Sequence, residues 1–333
     1  MSKDKKVMNE LKSLIYAQSK KEYKQCLWLR PKSHCNKDCI KAHSIQNRQI
    51  LDQLASKHHV VMAVPKQNLN TETEPEIEFK QVGRNQATTF TGLCQKHDSE
   101  LFRPIDINEF DVSNQQQKFL IAYRSVLREL HTRIKAAIDL QTFYIDSQTI
   151  YQKFFERGKC DPNNLKEPRM LEAKEIINAI DFYVYKYVYD NIYNSNSFAE
   201  IEHECIRIER KCPLAVSSLF DPIKSISGRK RLEPKFIVFN VFPQNQDTII
   251  LLSYLREHQK ALKPYANEII NASGEYQLYL LSKTILRYCE NFVISPEHFK
   301  DFSQQKIDAI KNFYLATVRQ IDLDHDDQNL MLF

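Results

Sequence analysis

In the stretch TFTGLCQKHDSELF, Cys94 and His97 stand three residues apart where an apolar helical pattern begins. A thiol and an imidazole at that spacing can face one ion from a single turn, and zinc takes four such sulfur and nitrogen ligands in a tetrahedron. The other two ligands must come from elsewhere in the chain, and the amino-terminal run CLWLRPKSHCNKDCIKAH offers Cys26, Cys35 and Cys39. The favoured set is Cys26, Cys35, Cys94 and His97, because Cys39 falls in a strand leading to His43, where alternation puts it on the face of His43. A four-cysteine set of Cys26, Cys35, Cys39 and Cys94 would satisfy zinc equally and leave His97 for other work. Cys160, Cys205, Cys212 and Cys289 are scattered and read as small buried hydrophobes. Glu202, His203 and Glu204 in EIEHECIRIE imitate a metal box, but neighbouring strand residues point to opposite faces.

These ligands need elements to hold them. The segment from Cys26 to His43 has the short strands and turn residues of a zinc-stapled hairpin. A basic helix is expected over 4–24, a short helix through Ala55, a strand near Val60–Val64 and a loop or hairpin arm around Pro65 and Pro75. From Asn114 the spacing of Phe119, Leu120, Tyr123, Val126, Leu127, Leu130, Ile134 and Ala137 predicts a long helix, and a second is expected from Pro168 to Tyr193. The tyrosines of the second, in IDFYVYKYVYDNIYN, read as a core stripe rather than as a platform for stacking bases. LAVSSLF, PKFIVFNVFP and DTIILLSYL read as strands, the last two joined as a hairpin through PQNQD. Helices follow near 255–270, 275–291 and 303–320. The expected organisation is α+β in three parts: a zinc module with its basic helix over 1–110, a helical region over 111–196, and a mixed α/β region with an antiparallel hairpin over 197–333.

Composition bounds the function. The chain has 333 residues, 42% hydrophobic and 27% charged, which is ordinary for a globular protein of more than one domain. No run approaches the roughly 18 consecutive apolar residues of a membrane span, and the charged start MSKDKKVMNELKSLIY does not read as a secretory signal. A cytoplasmic setting is expected, with the eight cysteines as thiols or ligands rather than disulfides. With five glycines and no glycine-rich loop, the sequence argues against a dinucleotide or Walker site. Residues 1–50 carry twelve Lys and Arg against four Asp and Glu, while the remainder is slightly acidic. A basic block of that kind suits a polyanion, with Lys20, Lys21, Lys24 and Lys32 as candidate phosphate contacts.

The order of these parts resembles the HNH, or ββα-metal, nucleases. Ala42-His43-Ser44-Ile45 is similar to that family's first strand end, and Leu93-Cys94-x-x-His97-Asp98 looks like its helix start, with His97 in place of a zinc cysteine and Asp98 in place of a metal-binding histidine. The resemblance covers roughly residues 24–105, and the family's middle asparagine has no counterpart near Thr89 or Thr91. It implies a treble-clef-like fold around structural zinc, with His43 as general base and Asp98 as ligand for a catalytic Mg²⁺ or Mn²⁺. Arg84, Lys80 and Lys96 would then be phosphate contacts. The implied activity is endonucleolytic hydrolysis of DNA or RNA, with bacterial defence as a setting and a protein partner or activator as a further possibility. The competing expectation is a nonenzymatic zinc module that binds nucleic acid or a protein.

Overall fold

The computed structural model describes residues 10, 13, 17, 20–28, 35, 38–66, 76–155, 166–222, 234–318 and 327–333. Most of the expected basic helix at 4–24, together with Lys32 and Cys160, lies outside them. The protein is mixed α/β, and its ladders are antiparallel among the described residues.

Two strands and a helix frame the cysteines. Strand β1 (Cys39–His43) pairs with β4 (Thr89–Cys94), with Cys39 opposite Cys94 and His43 opposite Thr89. The register slips between Ile40 and Ala42, and such a bulge turns the strand end, here the one bearing His43. Gly92 sits where a Cβ would come within 2.9 Å of the Phe90 ring, and its carbonyl accepts from the Leu27 N–H at 2.8 Å. The incoming segment 23–28 is thereby laid along β4. Between β1 and the sheet the chain makes a π-helical turn, Asn47–Leu51, running into the short helix α1 (Asp52–Leu54). Helix α2 (Gln95–Asp106) leaves β4 directly and buries His97, Leu101, Phe102 and Ile105 at helical spacing.

The larger sheet has seven strands in the order β3-β2-β9-β6-β7-β8-β5. They are β2 (His59–Lys66), β3 (Glu76–Gly83), β5 (Ile201–Ile208), β6 (Leu214–Phe220), β7 (Ile237–Gln244), β8 (Asp247–Leu255) and β9 (Phe292–Ile294). Strands β6, β7 and β8 are buried almost throughout, so their sequences run apolar instead of alternating. The cause is a helical layer on each face. Helices α3 (Gln115–Phe155) and α4 (Lys166–Ser195) contribute Phe119, Tyr123, Leu127 and Tyr189 to a core with Leu219 and Val238. On the other face α5 (Gln259–Ile270), α6 (Gly274–Tyr288) and α8 (Gln304–Val318), which follows the one-turn α7 (Pro296–Phe299), pack Leu262, Leu281, Ile285 and Phe313 against Phe239, Ile250 and Leu252. The sheet thus joins strands from 59–83 to strands from 201–294 and runs across the expected divisions at 110 and 196.

Helix α4 is apolar on more than one side. Phe182, Tyr185, Tyr189 and Ile192 are buried, as expected of a core stripe, whereas Ile177, Ile180, Tyr183, Val184 and Tyr187 are exposed. On its buried side Lys186 and Asp190, one turn apart, form an ion pair at 2.6 Å, and Tyr123 of α3 donates its hydroxyl to the same carboxylate.

Candidate metal centre and adjoining cleft

Cys26, Cys35, Cys94 and His97 converge, with all four ligand atoms within 4.8 Å of one another. The Nδ1 atom of His97 lies 3.3 Å from the Sγ of Cys26, 3.6 Å from that of Cys35 and 3.3 Å from that of Cys94. Zinc bonds of about 2.3 Å to sulfur and 2.0 Å to nitrogen at a tetrahedral angle subtend about 3.5 Å, so these separations match one shared ion. Three thiols and an imidazole could therefore hold zinc here. Burial pushes the Cys26 thiol up to about 12, and it raises Cys35 as well. Such thiols keep their protons unless a cation replaces them, so metal uptake at this group is coupled to proton release. Cys39 stands opposite Cys94 in the β1–β4 ladder without joining the group, and burial pushes its thiol up to about 11.

The group is seated by α2 and by the segment before β1. Trp28 lies 5.7 Å from the His97 ring and 5.3 Å from Tyr193, edge to face, which ties the metal ligands to α4. Thr91 donates to the Tyr23 carbonyl at 2.6 Å, and His131 of α3 contacts the same oxygen at 2.8 Å.

On the far side of the first turn of α2 lies a cavity of about 470 Å³ lined by both His43 and Asp98. His43 Nε2 lies 3.1 Å from the Arg84 carbonyl. A carbonyl can only accept, so the proton sits on Nε2 and Nδ1 carries the lone pair. Burial, helped by Arg124 and Arg84, lowers the pKa of His43 against the opposing pull of the Arg84 carbonyl and Asp106. The imidazole is therefore neutral at pH 7. Asp98 Oδ1 is buried without a hydrogen-bond partner among the described residues, and burial raises the pKa of this carboxyl.

The remaining walls include residues that sequence reasoning missed. Asp106 receives Arg124 through two bonds of 2.9 and 2.8 Å, and the Arg124 guanidinium lies 4.1 Å over the Phe102 ring. Arg48 from the π-turn and Arg103 from α2 complete three guanidiniums facing two carboxylates. The cations expected to meet phosphate lie elsewhere. The Arg84 side chain pairs with Asp52, Lys80 pairs with Glu78 at 3.0 Å, and Lys96 does not line the cleft. In the imitation metal box, Glu202 pairs with Arg256 at 2.7 Å and Glu204 accepts from Tyr254 at 3.0 Å, while His203 meets Ser253 at 2.8 Å.

No helix among the described residues is long and apolar enough to cross a membrane. No family model matches the chain, and neither a curated protein nor a solved structure does.

Proposed function

We propose that the protein is a metal-dependent endonuclease of the HNH type acting on DNA or RNA. The observation that carries this reading is that His43 and Asp98 line one cleft, with the histidine tautomer fixed by a backbone carbonyl. Zinc held by Cys26, Cys35, Cys94 and His97 has a structural part, since a closed set of four protein ligands leaves no position for substrate. His43 takes the proton of the attacking water on Nδ1, while Arg84 holds the ring where the family's asparagine would. Asp98 would hold Mg²⁺ or Mn²⁺, which when bound would supply charge stabilisation at the phosphate. Arg48 and Arg103 place the phosphodiester.

Replacing His43 by Ala tests the assignment. Cleavage in Mg²⁺ or Mn²⁺ should fall by at least the hundredfold typical of general-base loss, with zinc content and nucleic-acid binding retained. Because the reactive form is the neutral imidazole and its pKa is lowered, activity should persist below pH 6.5 and fall only at more acidic pH. Cleavage by the alanine variant at the wild-type rate would remove His43 from the chemistry. Binding without cleavage by the wild type, across single- and double-stranded DNA and RNA with both metals, would leave a zinc module that recognises nucleic acid.

A further inference from the structure

The cleft continues past Arg124. Gln46, Arg48 and Arg124 line a second cavity as well, of about 200 Å³, enclosed by the π-turn on one side and by β7 on the other. Its size is informative, because an apolar cavity of about 150 Å³ accepts one benzene, whereas drug-sized ligands need about 300 Å³ or more. One heteroaromatic ring system fits between those limits. Aromatic surface is supplied by Phe110 and Phe242, which meet edge to face with centroids 5.5 Å apart. A polar group is supplied by Asn240, which is 3% exposed. Its carbonyl oxygen accepts from Ser125 at 2.9 Å, while its Nδ2 has no partner among the described residues. A flat ring offering an acceptor on its edge would satisfy that donor and lie against the phenylalanines. An aliphatic ligand would leave Asn240 unpaired, and a phosphate would sit at the arginines of the mouth instead of beside a neutral amide.

We propose that this cavity receives a single unpaired nucleobase of the nucleic-acid substrate, read by Asn240, while the adjoining phosphodiester lies in the His43–Asp98 cleft. The proposal rests on the nuclease reading and adds a substrate requirement to it. A base can enter only if it is out of its stack, so single-stranded or distorted sites are preferred, as for other proteins that hold a base in a pocket.

The test uses the full-length, zinc-loaded protein and each of the four ribonucleoside monophosphates, followed by saturation-transfer NMR and calorimetry without Mg²⁺ or Mn²⁺. At least one nucleotide should show stronger transfer to base protons than to ribose protons. Asn240→Leu removes the donor and Gln53→Trp plugs the cavity from an exposed position, and each should weaken that nucleotide at least tenfold. Should Asn240→Leu fail to fold, Gln53→Trp decides alone. Transfer no stronger to the base than to the ribose, or wild-type affinity in Gln53→Trp, would overturn the proposal even if the protein cleaves. Base-selective binding that Gln53→Trp abolishes, in a protein that cleaves nothing, would retain the pocket and reject the nuclease reading.

Discussion

The Lys186–Asp190 pair on the buried side of helix α4 allows a quantitative test of what holds the candidate metal centre in place. Both side chains are almost wholly enclosed, at 3% and 1% exposed, and Tyr123 donates to the same carboxylate. Tyr123 in turn contacts Trp28, whose ring packs on His97, so the pair supports the platform beneath the metal group. Asp190→Asn keeps size and shape but leaves the Lys186 ammonium buried without its counter-charge. Breaking a buried pair from one side costs about 3–5 kcal/mol, a large part of the roughly 5–15 kcal/mol that stabilises a folded protein. At about 2–4 °C per kcal/mol, Tm should fall on the order of 10 °C. The double variant Lys186→Met/Asp190→Leu removes both charges and should recover most of that loss, because a well-packed apolar pair is often as stable as the ion pair it replaces. Calorimetric melting of the wild type, Lys186→Met, Asp190→Leu and the double variant gives the coupling energy directly, and zinc analysis shows whether the platform moves with it. A change in Tm below about 2 °C for Asp190→Asn would refute the reasoning, since it would mean that Lys186 is neutral or reaches water.

Three further outcomes are expected. Cys94→Ser should lower bound zinc to less than about half an equivalent and destabilise the segment from 23 to 106, whereas Cys39→Ser should retain a full equivalent by elemental analysis. Burial lowers His203 to about 3, so the unfolded chain binds a proton below pH 6.5 that the folded chain does not. Stability is therefore intact above pH 6.5 and falls as pH drops toward 3, by about 2 kcal/mol at pH 5, and urea melts of His203→Gln should show a flatter pH dependence. Replacing Lys20, Lys21 and Lys24 together should flatten the salt dependence of nucleic-acid binding, and an unchanged slope would make these lysines a solubility feature.

The convergence of Cys26, Cys35, Cys94 and His97 was legible because groups able to share a metal restrict residue type and local spacing more tightly than packing does. Cys94 and His97 lie on one turn, and the sequence also placed Cys26 and Cys35 in a segment that could fold back on them. The long helices α3 and α4 were legible from periodicity, and β6, β7 and β8 from short apolar runs bounded by turns. The cleft was only half legible. His43 and Asp98 stand at element ends next to the cysteines, but Arg124 and Asp106 meet through the packing of α3 on α2, which leaves no local pattern. The partner of His43 Nε2 is a backbone carbonyl, and a carbonyl belongs to every residue, so no side-chain pattern could single out Arg84. The three residues of β9 are too few for a period to register, and the exposed apolar side of α4 was merged with its buried one because both repeat along the same helix.

The sheet order has a consequence for synthesis of the chain. Strand β2 pairs on one side with β3, a near neighbour in sequence, and on the other with β9, where Val61 faces Ile294 about 230 residues later. At about 5–20 residues per second on the ribosome, the β2–β3 hairpin waits on the order of 10–50 s for that partner. Through this interval the β2 edge presents unpaired backbone groups beside Val60, Val61 and Met62, which is the kind of edge that recruits foreign strands. A nascent chain arrested before residue 290 should accordingly associate with holdase chaperones and lose that association once β9 clears the exit tunnel.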